Sequence, residues 1–150
     1  MGLYDRDYIR EDDQPGIFAG GQYSMVTILI AINVGVYLID MLMGNTLIPK
    51  LEVRADVFRE PWYAWQLLTY GFAHDPNDFR HILFNMLYLW FFGRDVEVIY
   101  GRKEFLRLYL SLTVLSGLVW ALIAFALHNP RPLIGASGAV VGVTILFVLR

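Results

Sequence analysis

A serine among small residues, Gly135-Ala136-Ser137-Gly138, stands where a long apolar stretch begins. A serine hydroxyl becomes a nucleophile when a base takes its proton and the space around it admits a carbonyl. The flanking glycines keep side chains out of the path of an incoming peptide backbone. Gly135 and Gly138 are therefore candidate substrate-binding positions. At a helix start the amides of Ser137 and Gly138 lack partners within the helix, so they are donors for a developing oxyanion. A second polar group opens another apolar stretch, His81-Ile82-Leu83-Phe84-Asn85. On a helix, His81 and Asn85 share one face, about 6 Å apart along the axis. Such side chains suit the oxygen that turns negative when a serine attacks a carbonyl. Together these residue types point to acyl transfer, with Ser137 as nucleophile and His81 and Asn85 as oxyanion donors. Each also has a plainer reading. Ser137 can be a small packing residue, Asn85 a hydrogen-bonding bridge between helices, and His81 a solvated residue at a helix start.

The elements that must position them are apolar helices. Of the 150 residues, 57% are hydrophobic and 17% charged, and the mean hydropathy is +0.48. Soluble domains carry about 25% charge. The predicted class is an all-α, polytopic helical membrane protein. Four apolar segments are expected to span: 23–43, 79–98, 108–127 and 137–149. The third, Leu108 to Leu127, is free of charge and gives about 30 Å of helix, enough to cross the hydrocarbon layer. The fourth, at about 21 Å from Ala136, is short for a span. It reads as the cut end of a longer protein, with a complete four-helix protein as the alternative. Residues 1–22 are expected to form a polar cytoplasmic tail and 23–150 the membrane domain. Residues 1–16 hold five acidic residues and two arginines, without the basic start and apolar centre of an export signal.

Charge orients the spans. The side holding the N-terminus carries Arg6, Arg10, Arg94, Arg102, Lys103, Arg107 and Arg150, seven cations; the other carries Lys50, Arg54, Arg59, Arg80 and Arg131, five. Cations favour the cytoplasm, so the N-terminus is expected inside. His81, Asn85 and Ser137 then open spans that run in the same direction, at one membrane face. Polar groups placed there are costly and tend to be functional. The connection 44–80 is too apolar for a linker. Its Trp62, Tyr63 and Trp65 suit the headgroup layer, and short helices lying in the interface are expected.

Composition excludes several chemistries. There are no cysteines, hence no disulfide or thiolate catalysis, and His74, His81 and His128 lie outside any H-E-x-x-H pattern. A net charge of −2 gives no reason to expect nucleic acid. A soluble esterase needs Gly-x-Ser-x-Gly, which is absent. Asp40 alone cannot make an aspartyl intramembrane site.

Both polar groups, in this order and membrane placement, resemble the rhomboid intramembrane serine proteases. Gly135-Ala136-Ser137-Gly138 is similar to that family's nucleophile motif, and His81-Ile82-Leu83-Phe84-Asn85 to its H-x-x-x-N. Further likeness lies in Trp65-Gln66, where the family usually has Trp-Arg, and in Glu97 and Gly101. The similarity covers roughly residues 24–150. It implies a six-helix core, of which four helices are present, and a Ser-His dyad whose histidine lies on the sixth helix. That base has no counterpart here. His74 and His128 are candidates by elimination, and His81 is a substitute by proximity. It implies endopeptidase cleavage of transmembrane protein substrates within the bilayer, with no metal or cofactor. A multi-pass location in a bacterial plasma membrane is expected. The alternative is a non-catalytic rhomboid-like binding module.

Overall fold

The computed structural model describes residues 23–149. The expected tail 1–22, and with it Arg6 and Arg10, lies outside the described residues, as does Arg150. Four helices carry the fold: α1 (Met25–Leu42), α2 (Phe79–Tyr100), α3 (Arg102–Ala126) and α4 (Ser137–Val148). Among the described residues the only strand-like pairing is one antiparallel bridge, Val53 with Leu133.

Each long helix buries one stripe. On α2 it is Ile82, Asn85, Met86, Leu89, Gly93, Val96 and Glu97, steps of three and four that keep to one face. On α3 it is Phe105, Tyr109, Thr113, Gly117, Ala121 and Ala124, which shrinks in size toward the C-terminal end. That taper leaves room for the connection 44–78 and for the start of α4. α4 packs against both α2 and α3, and α1 lies against α2. Outside these stripes Leu83, Phe84, Phe91, Leu115, Val119, Val141 and Ile145 face outward. So continuous an apolar exterior suits lipid rather than water.

α1 and α3 are each long and apolar enough to cross a membrane, with mean hydropathy 2.1. α2, at 22 residues, has the length, about 33 Å, but carries Arg80, Arg94, Asp95 and Glu97. α4 has 12 residues. Of the four expected spans, two therefore qualify by length and composition. α3 also starts six residues before the expected Leu108. Arg102, Lys103 and Arg107 are helical: Arg102 lies against Glu97 at 4.0 Å, and the long side chains of the exposed Lys103 and Arg107 keep their heads in water.

Glu97 shows why a carboxylate is turned inward. It accepts the amides of Met25 at 2.6 Å and Val26 at 2.9 Å, at the N-terminus of α1. A helix start presents unpaired donors and a positive dipole end, so an anion belongs there. Ser24 completes the cap by accepting the Thr27 amide at 3.1 Å. Between α2 and α3 the chain turns on Gly101 alone, at φ +81°, where a side chain is strained.

The connection 44–78 folds as five short helical pieces, Ile48–Leu51, Ala55–Phe58, Pro61–Tyr63, Gln66–Thr69 and Tyr70–Phe72, in keeping with the expected short helices. Asp40 anchors its start, its carboxylate accepting the Leu47 and Ile48 amides at 2.8 and 3.1 Å. Gln66 is buried and donates to the Lys50 carbonyl at 3.0 Å. The glutamine thus makes a structural contact where the resemblance led us to expect arginine.

Candidate active site

Ser137 is the first residue of α4. Its side chain is exposed, and no hydrogen bond to its hydroxyl is made among the described residues. The amides of Ser137 and Gly138 likewise have no partner there, as a helix start dictates.

What holds Ser137 is the connection 44–78. Leu133 and Val53 exchange two backbone hydrogen bonds, at 2.9 and 3.1 Å. The Gly135 amide donates to the Tyr70 carbonyl at 2.9 Å. The Ala136 amide donates to Nε2 of His74 across a long 3.4 Å. Four bonds, made by Leu133, Gly135 and Ala136, thus fix the turn that enters α4. Gly135 has φ +107°, and a Cβ on it would stand 2.5 Å from Nε2 of His81. Both conformation and space demand glycine. The imidazole of His81 therefore lies directly on the backbone two residues before Ser137.

A second contact holds α4 to α3. A Cβ on Gly138 would collide with the Ser116 side chain. Ser116 is fixed in turn: the Tyr70 hydroxyl lies 2.8 Å from its Oγ and donates to the Thr113 carbonyl at 2.7 Å. Burial raises the Tyr70 phenol above its ordinary value, more than its bonds to Ser116 and the Gly117 backbone lower it. Tyr70 stays protonated and packs against Gly117, where a Cβ would be 2.5 Å from its ring. The room expected at Gly135 and Gly138 is thus taken by His81 and Ser116.

His74 is fully buried, with its ring centroid 5.1 Å from that of His81. Burial, then the charge of His81, pushes its pKa down to about 4. The Phe72 carbonyl offsets this least, and Nδ1 has no partner in hydrogen-bond geometry. A neutral ring that accepts at Nε2 carries its proton on Nδ1. His74 is accordingly a support for the Ala136 amide. Asn85 is buried, and its Nδ2 donates to the His81 carbonyl at 3.0 Å, one turn back on its own helix. His128 is exposed beyond the end of α3, beside Arg54 and Arg59.

The structure therefore brings His74 and His81 to the segment that presents Ser137 and places His128 in a separate pocket. Sequence reasoning missed Tyr70 and Ser116. A small-residue cluster inside an apolar helix, Thr113, Ser116 and Gly117, was the available signal for a close approach. Tyr70 carries no such signal. In chemical terms, an exposed hydroxyl at a helix start, beside unpaired amides, suits nucleophilic attack with stabilisation of the resulting oxyanion.

A family model described as "Rhomboid domain" matches residues 61–150. Among curated proteins, the rhomboid protease GluP of Bacillus subtilis is 29% identical over 135 residues, covering 86% of this chain and 25% of its own length. Rhomboid protein 1, mitochondrial, of Saccharomyces cerevisiae is 28% identical over 131 residues, covering 80% of this chain and 34% of its own. Presenilin-associated rhomboid-like protein A, mitochondrial, of Danio rerio is 38% identical over 63 residues, 42% of this chain and 16% of its own. The chain spans about a third or less of the length of these relatives.

Proposed function

The chain belongs to the rhomboid family, an integral membrane family, and we propose that the complete gene product is an intramembrane serine endopeptidase. Its substrates are transmembrane segments of other proteins. Ser137 is the nucleophile. Its own amide, His81 and Asn85 form the oxyanion site, with Asn85 turning its amide from the His81 carbonyl toward the substrate. Gly135 and Gly138 serve the substrate through their backbone, because His81 and Ser116 fill the space beside them. The observation that carries this reading is the exposed Ser137 at the start of α4, two residues from the glycine on which His81 rests.

As the likeness to the rhomboid proteases implies, the base is a histidine outside residues 1–150. His74 is committed to the Ala136 amide, and His81 is packed on Gly135. In the reaction the Ser137 oxygen bonds the scissile carbonyl carbon as its proton passes to that base. The proton then goes to the leaving amine, and water releases the acyl group. The proposed site is a bacterial plasma membrane with residues 1–22 as a cytoplasmic tail and 23–150 as the membrane domain. Orientation rests on the seven-to-five cation bias.

A second reading, a non-catalytic module that binds unstable transmembrane helices, is favoured by one observation. Among the described residues no base is bonded to Ser137. The deciding experiment places the complete gene product in proteoliposomes with a transmembrane reporter whose helix carries a glycine or proline break, and follows cleavage. Cleavage by the wild type and none by Ser137→Ala supports the protease. Binding without cleavage by either supports the module.

A further inference from the structure

A pocket of about 280 Å3 opens between the short helix Ala55–Phe58 and the C-terminal end of α3. Arg54, Asp56, Arg59, Phe125, His128 and Asn129 line it. Two guanidiniums, an imidazole and the Asp56 carboxylate are among the lining groups. Arg54 is paired with Glu52 at 2.5 Å. Arg59 makes no ion pair among the described residues, and its guanidinium is held 5.6 Å above the Phe125 ring. That ring is itself fixed edge-on by Phe58, with centroids 5.6 Å apart. A cation held over an aromatic face is oriented rather than free. The volume suits a headgroup and not a peptide.

The surroundings choose the kind of anion. α3 is one of the two helices apolar enough to span. Just before the pocket it exposes Ile123 and, at its end, Leu127, an apolar surface suited to acyl chains. Trp62 and Trp65 are exposed on the neighbouring connection, as suits the level of lipid headgroups.

We propose that this pocket is a binding site for the headgroup of an anionic phospholipid, its phosphodiester between Arg54 and Arg59 and its acyl chains along the end of α3. The site lies at the end of the bundle that presents Ser137, and its occupancy is independent of proteolysis. Each cation near a lipid headgroup contributes on the order of a fivefold change in affinity.

The test uses the complete gene product in nanodiscs of phosphatidylcholine, with or without a minority of phosphatidylglycerol. Native mass spectrometry counts the phosphatidylglycerol retained after release. Retention is expected to fall roughly fivefold in Arg59→Gln, further in Arg54→Gln/Arg59→Gln, and to stay largely intact in Arg59→Lys. Ser137→Ala is expected to retain as much as the wild type, so loss of the protease reading leaves the lipid site standing. Undiminished retention in Arg59→Gln overturns the proposal. So does equal loss in the Lys and Gln variants, which marks a packing effect. Displacement of the lipid by inorganic phosphate, with no effect of Phe125→Ala, reassigns the pocket to free phosphate and also overturns it.

Discussion

Acid should loosen the turn that presents Ser137, and His74 is the group responsible. Its ring is fully buried and accepts the Ala136 amide at Nε2, which only a neutral imidazole can do. In the folded protein its pKa is pushed down to about 4, whereas an unfolded histidine titrates at 6.5. Between these values the unfolded chain holds the extra proton, so stability falls as pH falls through this window. The loss amounts to ~2 kcal/mol at about pH 5 and ~3 kcal/mol at about pH 4, relative to neutral pH. Protonation also deprives the Ala136 amide of its acceptor, which concentrates the effect on the segment before α4. The assay is the unfolding midpoint of the complete gene product in mild detergent, measured from about pH 7.5 down to about pH 4, for the wild type and His74→Gln. Glutamine keeps an acceptor without a titrating ring. Carboxylates titrate in both proteins, so the difference between the two curves isolates His74. The variant is expected to lose less stability than the wild type across the window. Parallel curves would refute the reasoning, as would a wild type that gains stability in acid.

Three further substitutions probe the site and its supports. Asn85→Ala is expected to lower turnover roughly tenfold to a thousandfold with little change in folding, the range for losing an oxyanion donor; an unchanged rate makes Asn85 structural. Gly135→Ala places a side chain at φ +107° and against Nε2 of His81, costing about 2 kcal/mol or more. Its unfolding midpoint and cleavage rate should fall together, and a neutral result contradicts the described turn. Glu97→Gln removes the anion that caps α1 through Met25 and Val26 and is expected to cost about 1–2 kcal/mol, read as a lower midpoint with substrate affinity unchanged in the surviving folded fraction.

What the sequence disclosed, and what it did not, follows from the range of each interaction. That His81 and Asn85 share one helix and that Ser137 opens another was legible because four-residue spacing and apolar runs are local properties; their roles in chemistry stay a proposal. The bounds of α3 were read too short because Arg102, Lys103 and Arg107 look like loop residues, yet one glycine at φ +81° is all that parts α2 from α3. Short helices in the connection 44–78 followed from its aromatic and apolar content. Their docking did not. Val53 meets Leu133, and Tyr70 meets Gly135, through backbone groups, which every residue possesses and which leave no mark on side-chain type. His74 was visible as a histidine, but its role rests on a hydrogen bond to a residue 62 positions away. The room at Gly135 and Gly138 was read as open to substrate, and only packing revealed that His81 and Ser116 occupy it.

The central claim, that Ser137 is the nucleophile of a peptidase site, is tested most directly by covalent trapping. The complete gene product in membranes would be treated with a fluorophosphonate, whose fluoride is displaced by an activated serine oxygen, and the adduct mapped by peptide mass spectrometry. The account predicts a single adduct at Ser137, with cleavage of the transmembrane reporter lost in proportion to labelling. An adduct elsewhere, or cleavage that persists when Ser137 is fully labelled, would contradict it.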